Sequence, residues 1–386
     1  MDIKNKGINE LKSYLDSKKR IVIKIGTQVL LDKNGRLSRT SFGRICGFSY
    51  SLIEKGKEVV LVSSGAIAAG KGFLNIPPGG AKYSIPERQA FAACGQSILM
   101  NNYACCFKTY GIKTAQVLLT KDDITNRQRF LNARNTINEI LRNKVVPVIN
   151  ENDTVSYEEI KFSDNDHLSA LVSNLACADM LLILSNVKGV YDKNPLIYKD
   201  SKLLKTIGDI NNFVKTFKDV SRSIHGTGGM KSKLYASFIA SEAGIDTAII
   251  SGKNSRDLNS FAQGRLNGTF IPSLKSDISK KQHWLLFGME KKGRIIVDRG
   301  AEEAIVHKNK SLLSSGIIDI IGEFKKGEGL YIVGMDGNII SMGISNLDSS
   351  LARRIKGLKS SEIKDKFGEE AVSPVVVHKD KLAVSS

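Results

Sequence analysis

The sequence predicts an α/β protein: a parallel-rich open sheet with helices on both faces, followed by a small C-terminal β-barrel domain. Three observations predict it. Short β-branched runs alternate with helical patterns along residues 20–265. Those runs are apolar at consecutive positions, as strands covered by helices on both faces must be. From residue 293 the pattern changes to short strands and tight turns, the mark of a small β domain. The length of 386 residues suits two or three domains.

The elements follow in order. Ile8, Leu11 and Leu15 stand at helical spacing, so a short amphipathic helix precedes the first strand. Ile21-Val22-Ile23-Lys24-Ile25 reads as a buried strand that stops at Gly26. Thr40–Lys55 reads as a helix ended by Gly56. Val59-Val60-Leu61-Val62 is a second buried strand, closed by Ser63-Ser64-Gly65. A long helix runs from Pro86 to Tyr110, with proline at its start and Gly111 after its end. Strands are expected at Thr114–Leu119, Val145–Ile149, Met180–Leu184 and Thr247–Ile250. Helices are expected near 132–143, 166–178 and 229–243. The stretch Thr269–Gln282 is polar and irregular, as a linker would be. Beyond it, Arg294–Val297, Gly316–Ile321, Gly329–Val333 and Asn338–Met342 alternate with turn signals such as Asp336-Gly337. The expected division is a first domain over 1–268, a linker over 269–289 and a second domain over 290–375.

Composition narrows the function. Lys and Arg number 57 against 39 Asp and Glu, a net charge of +18. Residues 276–386 hold 18 basic and 15 acidic side chains, leaving +3 there and +15 in the first 275 residues. The surplus is spread as single lysines, which suits steering of an anionic small substrate. No stretch approaches 18 consecutive apolar residues, and the N-terminal residues lack an apolar signal core. A cytoplasmic location with no membrane contact is the expectation. Five cysteines, none in a C-x-x-C pair, read as reduced and mostly buried thiols. Five scattered histidines argue against a histidine metal cage.

In a parallel sheet, ligands bind beyond the carboxyl ends of the strands. Those ends carry Lys24-Ile25-Gly26-Thr27, then Ser63-Ser64-Gly65-Ala66, then Asn150-Glu151-Asn152-Asp153. Ser163-Asp164-Asn165-Asp166 follows, and His225-Gly226-Thr227-Gly228-Gly229-Met230-Lys231-Ser232-Lys233 opens the last long helix. A glycine after a strand often only permits a turn, and Asp or Asn often only caps a helix. Lys24 is different, because a lysine inside an apolar strand is costly unless it meets an anion. The 226–233 loop lets backbone N–H groups close around phosphate oxygens at a helix N-terminus. It fits neither the Walker A spacing nor the dinucleotide fingerprint. Cationic lysines, acidic organisers and Gly-rich loops together are the parts of a phosphoryl-transfer site.

Taken in order, Lys24-Ile-Gly-Thr, Ser63-Ser-Gly-Ala-Ile-Ala-Ala-Gly, Arg129-Phe-Leu-Asn-Ala-Arg134, Val146-Pro-Val-Ile-Asn-Glu-Asn-Asp153, Asp164-Asn-Asp166 and Gly226-Thr-Gly-Gly-Met230 resemble the glutamate 5-kinases of the amino-acid kinase superfamily. The resemblance covers residues 20–380, and the C-terminal part resembles a PUA domain. It implies the amino-acid kinase fold and transfer of the γ-phosphoryl of ATP, with Mg²⁺, to the side-chain carboxylate of L-glutamate. The product, L-glutamyl 5-phosphate, enters proline biosynthesis. Proline is implied as a feedback inhibitor, and a homodimer or homotetramer as the assembly. By matching positions, Lys24 and Lys233 would stabilise the transferring phosphoryl, and Asp166 would organise the two lysines. Ser64, Asp153 and Asn165 would hold glutamate. Thr227, Gly228, Gly229, Met230, Lys231, Ser232 and Lys233 would hold the ATP phosphates. Where such proteins often carry Thr-Asp after the Met180–Leu184 strand, this chain has Ser185-Asn186 in the nucleotide site. No protein ligand to the metal is assigned.

The residues make chemical sense of that reading. A glutamate side chain, with a reference pKa of about 4.3, is ionised at neutral pH and needs no general base. The barrier is repulsion between two anions, so positioning and cationic stabilisation must do the catalysis. Three other readings compete. Aspartate, acetylglutamate, carbamate or uridylate kinases share the superfamily, but the PUA-like tail speaks for glutamate. RNA binding through that tail is not expected, because its net charge is only +3 and a cluster such as Arg353-Arg354-x-Lys356 reads equally well as a solvated helix face. A sensor without catalysis would not need both Lys24 and Lys233.

Overall fold

Ile21, Val22 and Ile23 have almost no exposed surface, and neither do Val60, Leu61 and Val62. Consecutive burial means both faces of these strands are covered, as the apolar runs require. The computed structural model describes residues 8–77, 83–155, 165–195, 197–217, 229–273, 289–367 and 373–384. The chain divides into two units, Met1–Ser276 and Asp277–Ser386.

In the first unit the strands are β1 (Arg20–Ile25), β2 (Glu58–Ser63), β3 (Lys113–Leu119), β4 (Val145–Glu151), β5 (Met180–Ser185), β6 (Asp246–Ser251) and β7 (Gly268–Ile271). They form one sheet in the order β3-β4-β2-β1-β5-β6-β7. Neighbours from β3 to β6 are parallel, and only β7 runs antiparallel, on β6. The parallel run lines up the carboxyl ends of β1, β2, β4 and β5 on one edge. The predicted helices lie at Ile8–Ser17, Arg39–Ile53, Ile85–Lys108, Arg127–Arg142, Asn165–Leu175 and Met230–Glu242. Ser84 and Glu87 form a capping box that starts the long helix, one residue before its proline.

Two glycine requirements shape the region after β2. Gly65 has φ of +115°, a left-handed turn that sends the chain from Ser64 into helix Ala66–Phe73. That short helix then packs backbone against backbone on the long helix. A Cβ at Gly95 would lie 1.8 Å from the Ala66 carbonyl oxygen and 2.3 Å from the Gly70 nitrogen. The contact ties the long helix to the turn that carries Ser64.

Three expectations change. The stretch from 269 is not linker at its start, because Phe270 and Ile271 are buried and pair with β6. Thr269 Oγ1 there donates to the Leu204 carbonyl and accepts from the Val190 N–H. Residues 274–288 of the expected linker lie outside the described residues. The second unit runs past 375, since a strand at Leu382–Val384 pairs with the one at Ile339–Ile344. The cysteines are free but not mostly buried: Cys46 is buried, Cys94, Cys106 and Cys177 are half-buried, and Cys105 is exposed. Cys105 and Cys106 sit on a helix that keeps one flank toward solvent.

The second unit has its own apolar core, with Ile295, Leu330, Ile332, Ala352, Ile355 and Val376 at its centre. Its strands are β8 (Lys291–Val297), β9 (Leu312–Leu313), β10 (Ile317–Ile321), β11 (Gly329–Val333), β12 (Ile339–Ile344), β13 (Val375–Val377) and β14 (Leu382–Val384). They form a five-stranded sheet, β10-β8-β11-β12-β14, and a separate pair, β13-β9. Helices Arg299–Val306, Ser349–Ile355 and Ser360–Phe367, which the turn-rich sequence did not announce, pack around them. Among the described residues no helix is long and apolar enough to cross a membrane.

Candidate active site

Lys24 stands one residue before the end of β1 and is only 5% exposed. A buried ammonium needs an anion, and Asp166 supplies it. The Lys24 Nζ lies 2.5 Å from Asp166 Oδ1. Lys233 comes to the same carboxylate from the other side, with Nζ 2.9 Å from Oδ2. Asp166 sits at the start of helix Asn165–Leu175 and Lys233 in the first turn of helix Met230–Glu242. Three distant segments thus meet at one carboxylate with no exposed surface.

Burial by itself would raise the Asp166 pKa. The charges of Lys24 and Lys233, with the hydrogen bonds they donate, outweigh burial and hold it at about 2. The carboxylate is therefore ionised at any physiological pH. Each ammonium has three donors and gives one to Asp166; Lys233 gives another to the Gly229 carbonyl at 3.5 Å, and the remaining donors can meet other acceptors. The cluster of two cations and one anion carries a surplus of one positive charge.

Ser232 belongs to this group. Its hydroxyl lies 2.8 Å from Asp166 Oδ2 and 3.0 Å from the Gly229 carbonyl oxygen. Gly229 is the N-cap of the Met230–Glu242 helix and has no side chain to cap it. The positive end of a helix at this place attracts anions. Met230 is half-buried there, and Lys231 is exposed beside it. Thr227 and Gly228 lie outside the described residues, as do Asp164 and His225.

A second group centres on Asn165. Its Nδ2 donates to Ser64 Oγ at 3.0 Å, to Asn150 Oδ1 at 2.9 Å and to the Ser63 carbonyl at 3.2 Å. Ser64 and Asn165 are therefore brought together, next to Asp166. Asp153 is half-buried, two residues beyond the end of β4 on the same edge of the sheet. Ser185 ends β5 and is buried, while Asn186 after it is exposed. The Ser185 hydroxyl donates to Asn186 Oδ1 at 3.3 Å and accepts from the Val187 N–H at 3.4 Å. The hydroxyl therefore shapes the turn after β5.

The residues that sequence reading missed are behind this front row. Asn150 Nδ2 donates to Gln96 Oε1 at 2.9 Å, and Gln96 Nε2 donates to Gln116 Oε1 at 3.1 Å. The Tyr103 hydroxyl meets Ser63 Oγ at 2.8 Å in full burial. A usable signal was the polar Gln96 and Tyr103, seven residues apart on the long helix and so on one face of it.

The amino acid kinase family model matches residues 19–251, and the PUA domain model matches residues 293–367. The chain is 42% identical to the glutamate 5-kinase of Pelobacter propionicus over 95% of this chain and 97% of that one. It is 41% identical to the glutamate 5-kinase of Geobacter sulfurreducens over 96% of this chain and 98% of the relative. Among solved structures, a carbamate kinase from Giardia lamblia bound to AMP-PNP aligns with a TM-score of 0.50 and 16% identity. That alignment covers 67% of this chain and all of the other, and it bears on the fold alone. With near-complete coverage at this identity, and with the kinase and PUA models in the expected places, the chain belongs to the glutamate 5-kinase family.

Proposed function

We propose that the protein transfers the γ-phosphoryl group of ATP to the side-chain carboxylate of L-glutamate, giving L-glutamyl 5-phosphate for proline biosynthesis. The observation that carries the reading is the buried Lys24–Asp166–Lys233 cluster at the carboxyl ends of the strands. A glutamate carboxylate oxygen bonds to the γ-phosphorus. The bond from that phosphorus to the β–γ bridging oxygen breaks, and its electron pair leaves with ADP. No proton moves, which suits a site built from ammoniums and amides. Lys24 and Lys233 direct their remaining donors at the phosphoryl oxygens as negative charge shifts between them. Asp166 holds both ammoniums in place, so nothing has to reorganise during transfer.

Ser64, Asn165 and Asp153 are assigned to glutamate, with the Asp153 carboxylate facing the α-ammonium. The helix start at Gly229–Lys233, together with Thr227 and Gly228, is assigned to the ATP phosphates. Ser185 and Asn186 are assigned to the nucleotide side. Asp166 turns Oδ1 to Lys24 and Oδ2 to Lys233, so its charge is already matched by two ammoniums. Among the described residues no group of three His, Cys, Asp or Glu could hold a metal ion. Mg²⁺ is assigned to the ATP phosphates, where it neutralises charge and keeps its waters. Proline is assigned as an end-product inhibitor, and a homodimer or homotetramer as the working form.

The test is ADP release measured with L-glutamate, L-aspartate, N-acetyl-L-glutamate, carbamate and UMP, with hydroxylamine added to trap an acyl phosphate. Hydroxamate formed only with glutamate is the expected result. ADP release with another acceptor and none with glutamate would overturn the reading.

A further inference from the structure

Gln96 is a polar side chain on a helix face that otherwise packs into the protein, and it is only 9% exposed. An apolar residue would fill that position at lower desolvation cost. Its partners explain its presence. Asn165 Nδ2 donates to the Ser63 main-chain carbonyl, which can only accept. That bond shows which way the Asn165 amide faces. The same NH₂ group donates to Asn150 Oδ1, so the Asn150 amide must turn its nitrogen the other way. That nitrogen donates to Gln96 Oε1. Gln96 in turn points Nε2 at Gln116 Oε1. Three amides thus line up in one direction, from Asn165 back to the exposed edge strand that holds Gln116. The Asn165 NH₂ group is fully used by Ser63, Ser64 and Asn150. Its carbonyl oxygen, an acceptor, is left for the other side.

We infer that Gln96 is a positioning residue for the amino-acid end of the site: through Asn150 it fixes the Asn165 amide so that Asn165 Oδ1 faces the α-ammonium of the substrate. The inference rests on the glutamate reading and refines it. Without an acceptor at Gln96, Asn150 can turn over and present its NH₂ group to Asn165. Asn165 then faces a donor where it had an acceptor: it either turns, giving up the Ser63 carbonyl and meeting the substrate ammonium with N–H donors, or shifts its Oδ1 out of line with that ammonium. The close backbone contact at Gly95 holds Gln96 to the Ser64 turn, so the helix cannot drift to compensate.

The test compares glutamate with glutarate, the same dicarboxylate without the ammonium. Gln96→Met removes the acceptor at nearly constant volume. Gln96→Glu keeps an acceptor oxygen for Asn150, and its added charge can only favour glutamate, which alone carries an ammonium. The quantities are KM for glutamate, Ki for glutarate, KM for ATP and kcat. The Met variant is expected to raise KM for glutamate about tenfold, the scale of one lost hydrogen bond at the site. Glutarate Ki, ATP KM and kcat should stay within threefold. The Glu variant should keep the parental preference for glutamate over glutarate or raise it, and it serves alone if the Met variant does not fold. Equal loss for glutamate and glutarate in the Met variant would make Gln96 merely structural and overturn the inference. So would an unchanged glutamate KM in that variant, or a lost ratio in the Glu variant. A parental enzyme that phosphorylates no glutamate would instead reject the functional reading, and the inference with it.

Discussion

Lys24 and Asp166 meet at 2.5 Å between β1 and the start of a helix far along the chain, with both side chains almost wholly out of water. The pair alone would be neutral and of limited use to an anionic substrate. Lys233, on the other oxygen of the same carboxylate, turns it into a cluster with one surplus positive charge. A buried ion pair is weak evidence for stability, because desolvation can cancel the Coulomb gain. A buried cluster with excess charge at the ligand edge of a sheet is more readily explained as preorganised for an incoming anion.

Asp166→Asn should damage both folding and chemistry. It leaves two buried ammoniums facing an amide, a loss of about 3–5 kcal/mol when one partner of a buried pair is removed. Thermal unfolding with and without ATP checks the first effect, and ADP release checks the second. A variant as stable and active as the parent would remove Asp166 from its assigned role.

The same carboxylate sets an acid limb. Its folded pKa, about 2, lies below the unfolded value of 3.8. A depressed carboxylate pKa adds stability that is fully present above the unfolded value and is lost as pH falls through the folded one. The Asp166 contribution should therefore fade between about pH 4 and pH 2. Urea midpoints taken across that window should drop more steeply in the parent than in Asp166→Asn.

Lys233→Ala should lower turnover at least a hundredfold and leave KM for glutamate within a few fold. A contact that strengthens in the transition state is worth roughly 3–4 kcal/mol. Steady-state kinetics at saturating ATP decide it, and turnover near the parental value would reject the assignment.

Asp153→Ala should weaken glutamate binding and spare ATP binding. Asp153 lies two residues beyond the end of β4, whereas the described residues assigned to the ATP phosphates open the helix Met230–Glu242. Calorimetric titration with each ligand separates the cases, since equal loss of both would indicate a folding defect.

Truncation after Ser276 should leave a folded domain that still releases ADP with glutamate. Every assigned site residue lies in the first unit, and the second unit has a separate core. Full-length protein should show no salt-sensitive RNA complex at physiological salt. A folded but inactive fragment would give the second unit a part in catalysis.

Gly95→Ala tests the helix contact behind Ser64. The added Cβ would sit 1.8 Å from the Ala66 carbonyl oxygen, so one helix must move. Overpacking of this kind costs about 1–3 kcal/mol. The thermal midpoint should fall and KM for glutamate should rise. An unchanged protein would mean that the two helices can separate freely.

The order of strands and helices was legible in the sequence because each element carries its own period. Ile21–Ile25 and Val59–Val62 are apolar at every position, and only a doubly covered strand asks for that. Lys24 was legible for the converse reason: a charge in such a run needs an anion, and the chain supplies one in Asp166. The helices around β8–β14 and the strand at Gly268–Ile271 were not legible, because their short segments gain order from pairing and packing with distant residues. The amide chain from Asn165 through Asn150 and Gln96 to Gln116 is the clearest case. No local rule connects those four positions, and each side chain alone could as well be a solvated polar residue. Composition and periodicity act along the chain, whereas hydrogen-bond direction is decided only when separate segments share one buried space. The sequence by itself determined the strand ends and the residue types that phosphoryl transfer needs. The tertiary structure decided which of those residues face each other and which way their donors point, because partners distant in the chain must close every buried hydrogen bond.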